Sequence, residues 1–300
     1  MSGDLPLPAA EEVAALRRLA VRLAAEAGRY VMTERPDDLS VSATKTTALD
    51  VVTRMDTGSE QLLRARLAEH RPEDGVLGEE EGLRPGPSGL TWVLDPIDGT
   101  VNYLYDQPAY AVSVAVVVGD PTRAGAWQPV AGAVSNPRVG EVFHAGTGQG
   151  AGLSTMRLTA GAPAAELVDL EQPGAVRPLR VADPPALAKA LVGTGFAYDR
   201  ERRERQGQVA LEVLLRCRDL RRIGAAALDL CAVAAGRLDA YYEWGLQPWD
   251  MAAGQLVCTE AGAIVTGRDG QPPGEAFVLA AHPRLHQEVH ALLAGLGAGL

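Results

Sequence analysis

The chain lacks a membrane-length apolar run, an excess of basic charge and any close pairing of cysteines, and each shortage excludes a class of protein. Its longest apolar run, Ala109 to Val118, is far short of the roughly 20 residues a helical span needs, so no membrane role is expected. Asp4, Glu11 and Glu12 stand where a secretory signal would carry basic charge and then an apolar core, so no signal is expected either. The cysteines, Cys217, Cys231 and Cys258, form no CxxC pair. They suit buried, reduced thiols in a cytoplasmic protein, not a disulfide framework or a zinc site. With 28 basic against 38 acidic residues the formal net charge is −10. That argues against nonspecific nucleic-acid binding, which needs a basic surface to neutralise phosphates. An anionic small substrate would need a local cationic site, which a bound metal could supply.

What is present is a globular composition: 300 residues, 47% hydrophobic and 22% charged, long enough to bury about three quarters of the extended surface. Two lobes sharing a core are expected, residues 1–152 and 177–300. A surface insertion at 153–176, where Ala, Pro, Gly and Glu follow no period, would separate them.

Val13, Leu16, Leu19, Ala20 and Leu23 recur at helical spacing and predict an amphipathic first helix. Ser42 to Asp50 has no period and reads as an exposed loop, followed by a short strand at Val51-Val52-Thr53. Asp56 stands where a second helix with Leu62, Leu63 and Leu67 would begin, a position that suits an N-cap. Gly75 to Gly78 is a short strand running into Glu79-Glu80-Glu81, read either as a solvated face or as acids delivered by a buried strand. Tyr110 to Val118 predicts a strand buried on both faces, with Val130 to Val134 and Val142 to His144 as further strands. The glycines from Gly146 to Gly150 precede no convincing helix and read as a hairpin loop.

In the second half, a helix through Leu187 and Ala190 leads to Leu191 to Phe196, read as a strand running into a loop. The arginines between Arg200 and Arg222 interleave with Glu201, Glu204 and Glu212, which favours a solvated helix or a subunit contact over nucleic-acid binding. Gly224 to Leu230, which includes Ala226, starts a helix small enough to admit a ligand near its N-terminus. The strand Leu238 to Glu243 delivers Glu243, and Asp250 fronts a helix from Met251 to Glu260, as a cap or as a ligand. His282, His286 and His290 are spaced four apart, but their polar neighbours predict an exposed terminal helix and not a metal site.

The densest chemistry lies at Trp92-Val93-Leu94-Asp95-Pro96-Ile97-Asp98-Gly99-Thr100-Val101-Asn102-Tyr103. The apolar run predicts a strand that stops at Asp95-Pro96, because proline fixes its own φ and restricts the residue before it. Asp95 and Asp98 then emerge together, suited to a hard cation such as Mg²⁺, with the Ile97 carbonyl as a further oxygen. Gly99 lets the backbone approach a ligand, and Thr100 adds a hydroxyl at a helix start whose N–H groups would face a phosphate. On these residues alone an ordinary surface turn is an equal reading.

Four separated segments decide between them: Gly78 to Glu80, Asp95 to Thr100, Ala240 to Glu243, and Trp249 to Gly262. Together they resemble the inositol monophosphatase family from about Val13 to the C-terminus, and the stretches Asn102 to Tyr105 and Arg222 to Asp229 are most similar to actinobacterial members. The resemblance implies an α/β (α+β) fold layered as an αβαβα sandwich, and a lithium-sensitive phosphomonoesterase, often a homodimer, that uses two or three Mg²⁺ ions. It implies Glu79, Asp95 and the Ile97 carbonyl as ligands of one ion and Asp95, Asp98 and Asp250 as ligands of another. Asp56 and Thr100 would orient the attacking water, with Glu79 counted among the catalytic residues. Asp98, Gly99, Thr100, Ala226 and Glu243 would face substrate, and Lys45 and Asp50 would lie on a mobile loop beside the site. The substrate expected first is myo-inositol monophosphate. Sibling phosphatases for histidinol phosphate, fructose 1,6-bisphosphate or 3′-phosphoadenosine nucleotides share the same acids, and a non-catalytic, partner-binding dimer is the reading of a different class. Two departures from the family pattern stand out: Ala225 where many members carry Ser or Thr, and Ala263 in place of a glycine.

Overall fold

The computed structural model describes residues 5–37, 39, 41, 43–44, 51–157, 168, 170, 172 and 174–297, and their main elements stack in five layers. The first layer is α1 (Ala10–Thr33) with α2 (Arg54–His70). Beneath them lies an eight-stranded sheet made of β3 (Gly75–Gly78), β4 (Gly82–Arg84), β5 (Leu90–Asp98), β6 (Ala111–Gly119), β7 (Trp127–Asn136), β8 (Glu141–Gly146), β9 (Ala151–Thr155) and β10 (Val176–Pro178). Its spatial order is β10-β9-β8-β7-β6-β5-β3-β4. The middle layer holds α5 (Ala226–Ala234) and α6 (Pro248–Glu260). A second sheet follows in the order β12 (Asp219–Arg221), β11 (Leu191–Thr194), β13 (Ala240–Glu243), β15 (Val278–Ala281), β14 (Ile264–Thr266), and α4 (Arg200–Leu214) and α7 (Pro283–Gly295) cover its far side. A two-stranded ribbon, β1 (Ala43–Thr44) with β2 (Val51–Val52), and the short α3 (Thr100–Leu104) lie beside this stack. The architecture is the expected αβαβα sandwich.

Alternation along β6 shows why the large sheet is buried on both sides. Val112, Val114 and Val116 pack with α1 and α2, while Ala111, Ala115 and Val117 pack with α5 and α6. Each fully buried valine contributes about 1.5–3 kcal/mol. The middle layer is built of small residues, so helix and sheet come close. A Cβ on Gly132 of β7 would stand 3.1 Å from the Ala253 Cβ of α6.

The structure corrects several local expectations. The strand through Trp92, Val93 and Leu94 does not stop at Asp95-Pro96. β5 continues to Asp98, with one extra residue opposite β6, since Asp95 pairs with Ser113 but Asp98 pairs with Ala111. Asp56 is not the N-cap of α2; Thr53 is, and Asp56 closes a capping box with it from the third helical position. The helix expected through Leu187 and Ala190 shrinks to one 3₁₀ turn, Leu187–Lys189, one residue after Pro184 and Pro185. The insertion does not begin at 153, because Leu153 and Ser154 are buried in β9, and Val176 belongs to the edge strand β10. The terminal helix is not exposed throughout: His286 is buried and shares a 2.9 Å hydrogen bond with Thr266 Oγ1. All three cysteines are free thiols.

The packing assignment is testable at α2. Leu67 is completely buried, whereas Leu83 on β4 is 46% exposed. Leu67→Ala should lower the unfolding free energy by about 2–5 kcal/mol, and Leu83→Ala by less than about 0.5 kcal/mol, read from the midpoints of urea unfolding.

Candidate active site

The extra residue in β5 creates the site. Side chains alternate along a strand, so Asp95 and Asp98, three apart, would point to opposite faces of a regular sheet. The bulge restores them to one face, because their partners Ser113 and Ala111 are two apart on β6. That face looks onto α5 and α6. There Asp98 accepts the N–H groups of Ala226 (3.1 Å) and Ala227 (2.7 Å) from the first turn of α5. Asp95 Oδ1 accepts the Ile97 N–H at 3.0 Å, which folds the turn around it.

Asp250 arrives from the opposite direction, at the third position of α6 behind Pro248, and its Oδ2 accepts the Gln247 N–H at 2.6 Å. Carboxylate oxygens of Asp95, Asp98 and Asp250 all lie within 4.8 Å of one another, close enough to hold a metal ion. Glu79 follows β3, which runs parallel to β5 with Gly78 opposite Leu94, so it lines the same cleft as Asp95. Glu60, fully buried, holds the turn that carries Glu79 by accepting the N–H groups of Glu80 (2.8 Å) and Glu81 (3.0 Å).

Behind the carboxylates sits a hydroxyl. Thr100 Oγ1 is 2.9 Å from Asp56 Oδ1 and 3.0 Å from the Ile97 carbonyl oxygen, and its single proton serves one of them at a time. The other Asp56 oxygen accepts the Thr53 N–H at 2.8 Å. Gly99, the N-cap of α3, has φ of 87°, and a Cβ there would meet the Ala109 and Gly224 carbonyl oxygens at 3.0 Å. Only glycine fits this corner.

Glu243 ends β13 on the far wall and accepts the Tyr241 hydroxyl proton. A Cβ on Gly195 would collide with its carboxylate, so that glycine makes room for it. Arg222 lines the same wall, and the cleft has a volume of about 580 Å³. Burial pushes the Asp98 carboxyl up to about 7 against the pull of the Ala227 and Ala226 N–H groups, with Glu79 and Glu243 adding repulsion. Burial likewise raises Glu243 to about 7, opposed by the Tyr241 hydroxyl and the Arg222 charge. Asp56 is raised by burial and held back by its bonds to Thr53 and Thr100. Perturbed acids gathered in one cleft are the signature of a functional site.

Glu79, Asp95, Ile97, Asp98, Gly99, Thr100, Ala226, Glu243 and Asp250 therefore share one cleft, with Asp56 directly behind Thr100. Ala226 needs a correction: its N–H is taken by Asp98, so α5 does not offer that group to a ligand. Lys45 and Asp50 lie outside the described residues. Glu60 went unread in the sequence, although it stands four residues after Asp56 on the same helical face. Asn102 had no role of its own legible in the sequence, yet its Nδ2 donates to the carbonyls of Ala109 (2.7 Å) and Ile223 (2.8 Å) and ties α3 to the Arg222 wall.

Comparison with known proteins gives one consistent result. The model of the inositol monophosphatase family matches residues 12–296. The chain is 44% identical over 300 residues to the inositol-1-monophosphatase of Mycobacterium leprae (strain TN), covering 94% of this chain and 93% of that protein. It is 34% identical over 280 residues to the Nus factor SuhB of Pasteurella multocida (strain Pm70), covering 90% and 92%. The solved structure of Mycobacterium tuberculosis SuhB matches with a TM-score of 0.74 at 43% identity, over 95% of this chain and 97% of that one. Since the matched span takes in every element that supplies the cleft, from Asp56 on α2 to Asp250 on α6, the chain belongs to the inositol monophosphatase family.

Proposed function

We propose that this chain is a Mg²⁺-dependent phosphomonoesterase that hydrolyses myo-inositol monophosphate to myo-inositol and phosphate. The observation that carries the reading is the convergence of Asp95, Asp98 and Asp250 beside the Asp56–Thr100 pair. The donor set fits a hard cation: it is all carboxylate with the Ile97 carbonyl, and no thiol or imidazole lines the cleft. Glu79, Asp95 and the Ile97 carbonyl would hold one ion, Asp95, Asp98 and Asp250 another, with two or three ions in all. Bound there, Mg²⁺ supplies positive charge for the phosphate and the departing alcohol oxygen and lowers the pKa of water.

The chain's own groups then have distinct tasks. When Thr100 donates its proton to Asp56, its oxygen is left as an acceptor facing the cleft. It takes a proton from the attacking water as its own passes to Asp56, whose raised pKa makes it a competent base. The Gly99 and Thr100 N–H groups bind the phosphate at the start of α3. Glu243 accepts hydrogen bonds from substrate hydroxyls across the cleft, and Ala226 contributes van der Waals contact only. Ala225 caps α5 without a side-chain bond, so the substrate is met by one hydroxyl fewer than a Ser or Thr would provide. Exposed Leu211, Leu214 and Leu215 on and just after α4 support a homodimer built on that helix.

Three measurements test this reading. Phosphate release with Mg²⁺ should be fastest, by kcat/KM, on myo-inositol monophosphate and should fall with added lithium. Faster turnover of histidinol phosphate, fructose 1,6-bisphosphate or a 3′-phosphoadenosine nucleotide would reassign the substrate, and no release from any of them would end the proposal. Asp95→Asn should lower kcat about a hundredfold or more, given that metal catalysis supplies several kcal/mol, with unfolding midpoints little changed. For pH, a carboxyl raised above its unfolded value stabilises the fold below the unfolded pKa, and that contribution is lost as pH rises through the folded pKa. For Asp98, raised from 3.8 to about 7, and Glu243, raised from 4.5 to about 7, the metal-free protein should lose thermal stability between about pH 4 and pH 7. Cation binding requires Asp98 to be ionised, so the Mg²⁺-induced rise in Tm should be larger at pH 8 than at pH 6; an equal rise would remove Asp98 from the ligand set.

A further inference from the structure

A second cleft, of about 590 Å³, lies away from the catalytic residues, where the first half of α1, the β8–β9 turn, β10 and the C-terminal end of α6 meet. The two sites sit at opposite ends of α6. Asp250 stands in its first turn and Glu260 is its last residue, about 15 Å apart at 1.5 Å per residue. Three guanidinium groups, from Arg17, Arg18 and Arg180, line this cleft. In a chain of net charge −10, several arginines are paired with acids, as Arg64, Arg66, Arg71, Arg216, Arg221 and Arg237 are. Arg17, Arg18 and Arg180 have no ion pair among the described residues.

The geometry around Arg17 is built to keep its charge available. Its Nε donates to His144 Nδ1 at 3.0 Å, and the other ring nitrogen of His144 pairs with Ser154 Oγ at 3.0 Å. Burial and the neighbouring Arg17 push this imidazole down to about 3, so it remains a neutral acceptor that orients the guanidinium without cancelling it. Gly152 leaves the space, since a Cβ there would lie 3.3 Å from Arg17 Nη2. Among the described residues the one acid lining the cleft is Glu260, and it is turned to the β8–β9 turn, where its oxygens accept the Gly148 (2.8 Å) and Gly150 (2.7 Å) N–H groups. It offsets part of the positive charge, so among the described lining residues three cations face one anion. A concave volume of this size suits a small molecule, and planar guanidinium forks suit a tetrahedral oxyanion.

We infer that the Arg17–Arg18–Arg180 cleft is a second binding site, specific for small phosphate-type oxyanions and independent of the catalytic cations. Arg17 forms its floor, and exposed Arg18 and Arg180 close on the anion from the rim. The inference rests on no part of the phosphatase reading. Phenylglyoxal labelling of the full-length protein in Mg²⁺ buffer, followed residue by residue by mass spectrometry, tests it with inorganic phosphate as the probe and chloride at equal ionic strength as the control. Phosphate should slow labelling of Arg18 and Arg180 at least about threefold once it exceeds its Kd severalfold, while leaving exposed Arg123 unchanged. The same protection should persist in Asp95→Asn, which disables the other cleft. Protection of Arg18 and Arg180 no greater than that of Arg123, or its disappearance in Asp95→Asn, would overturn the assignment.

Discussion

The burial of several carboxylates in one cleft is the constraint around which this molecule is arranged, and backbone N–H groups are what offset it. Asp98 is held by the first turn of α5, Asp250 by the N–H before α6, Asp56 by the N–H before α2, and Asp95 by its own turn. A helix N-terminus carries roughly half a positive charge and stabilises a nearby anion by about 0.3–1 kcal/mol, more when partly buried. Three such termini aim at one cleft. Among the described residues the cost of burial is lowered by these N–H groups without a lysine between the acids, so each carboxylate keeps lone pairs free for a ligand.

The layered fold follows from the same requirement. Helices from two layers must present their N-termini to one strand end, so β5 lies between α2 on one face and α5 with α6 on the other. The alanines of the middle layer permit that approach, and Ser59, which donates to the Pro96 carbonyl at 3.1 Å, pins the strand end from the side of α2. Stability and chemistry are coupled here, since the residues that cap the helices are those that would hold the cations.

How much of this was legible in sequence depended on whether the chemistry is local. Asp95 to Thr100 offered hydroxyl and carboxylates in one contiguous stretch, but only its distant partner segments separated a site from an ordinary turn, and the strand through Asp98 was not legible there. The buried strand at Tyr110 to Val118 and the glycine hairpin at Gly146 to Gly150 were equally local and are found as read. Neither Asp56 nor Asp250 is an N-cap; each closes a capping box from the third helical position by accepting a backbone N–H, and each also stands in or directly behind the cleft. What could not be read is what depends on a distant partner. The Ala226 N–H looked available to a ligand until Asp98, 128 residues away, was found on it. Glu60 shows its purpose only once the turn after β3 folds over it, and the α1–α6 cleft exists only where four elements far apart in sequence come together.

The extra residue in β5 carries a consequence of a different kind. Parity, and not identity, decides which way Asp98 faces: an even step or a bulged odd step brings it to the helices, and a plain odd step turns it toward α1 and α2. Another oxygen donor placed at 95 or 98 would still face the helices. One residue removed between them would leave a plain even step and keep Asp98 on the same face, but the turn folded around Asp95, which presents the Ile97 carbonyl to Thr100, would be lost. What the extra residue adds is that carbonyl and its turn, at no cost to the direction of Asp98.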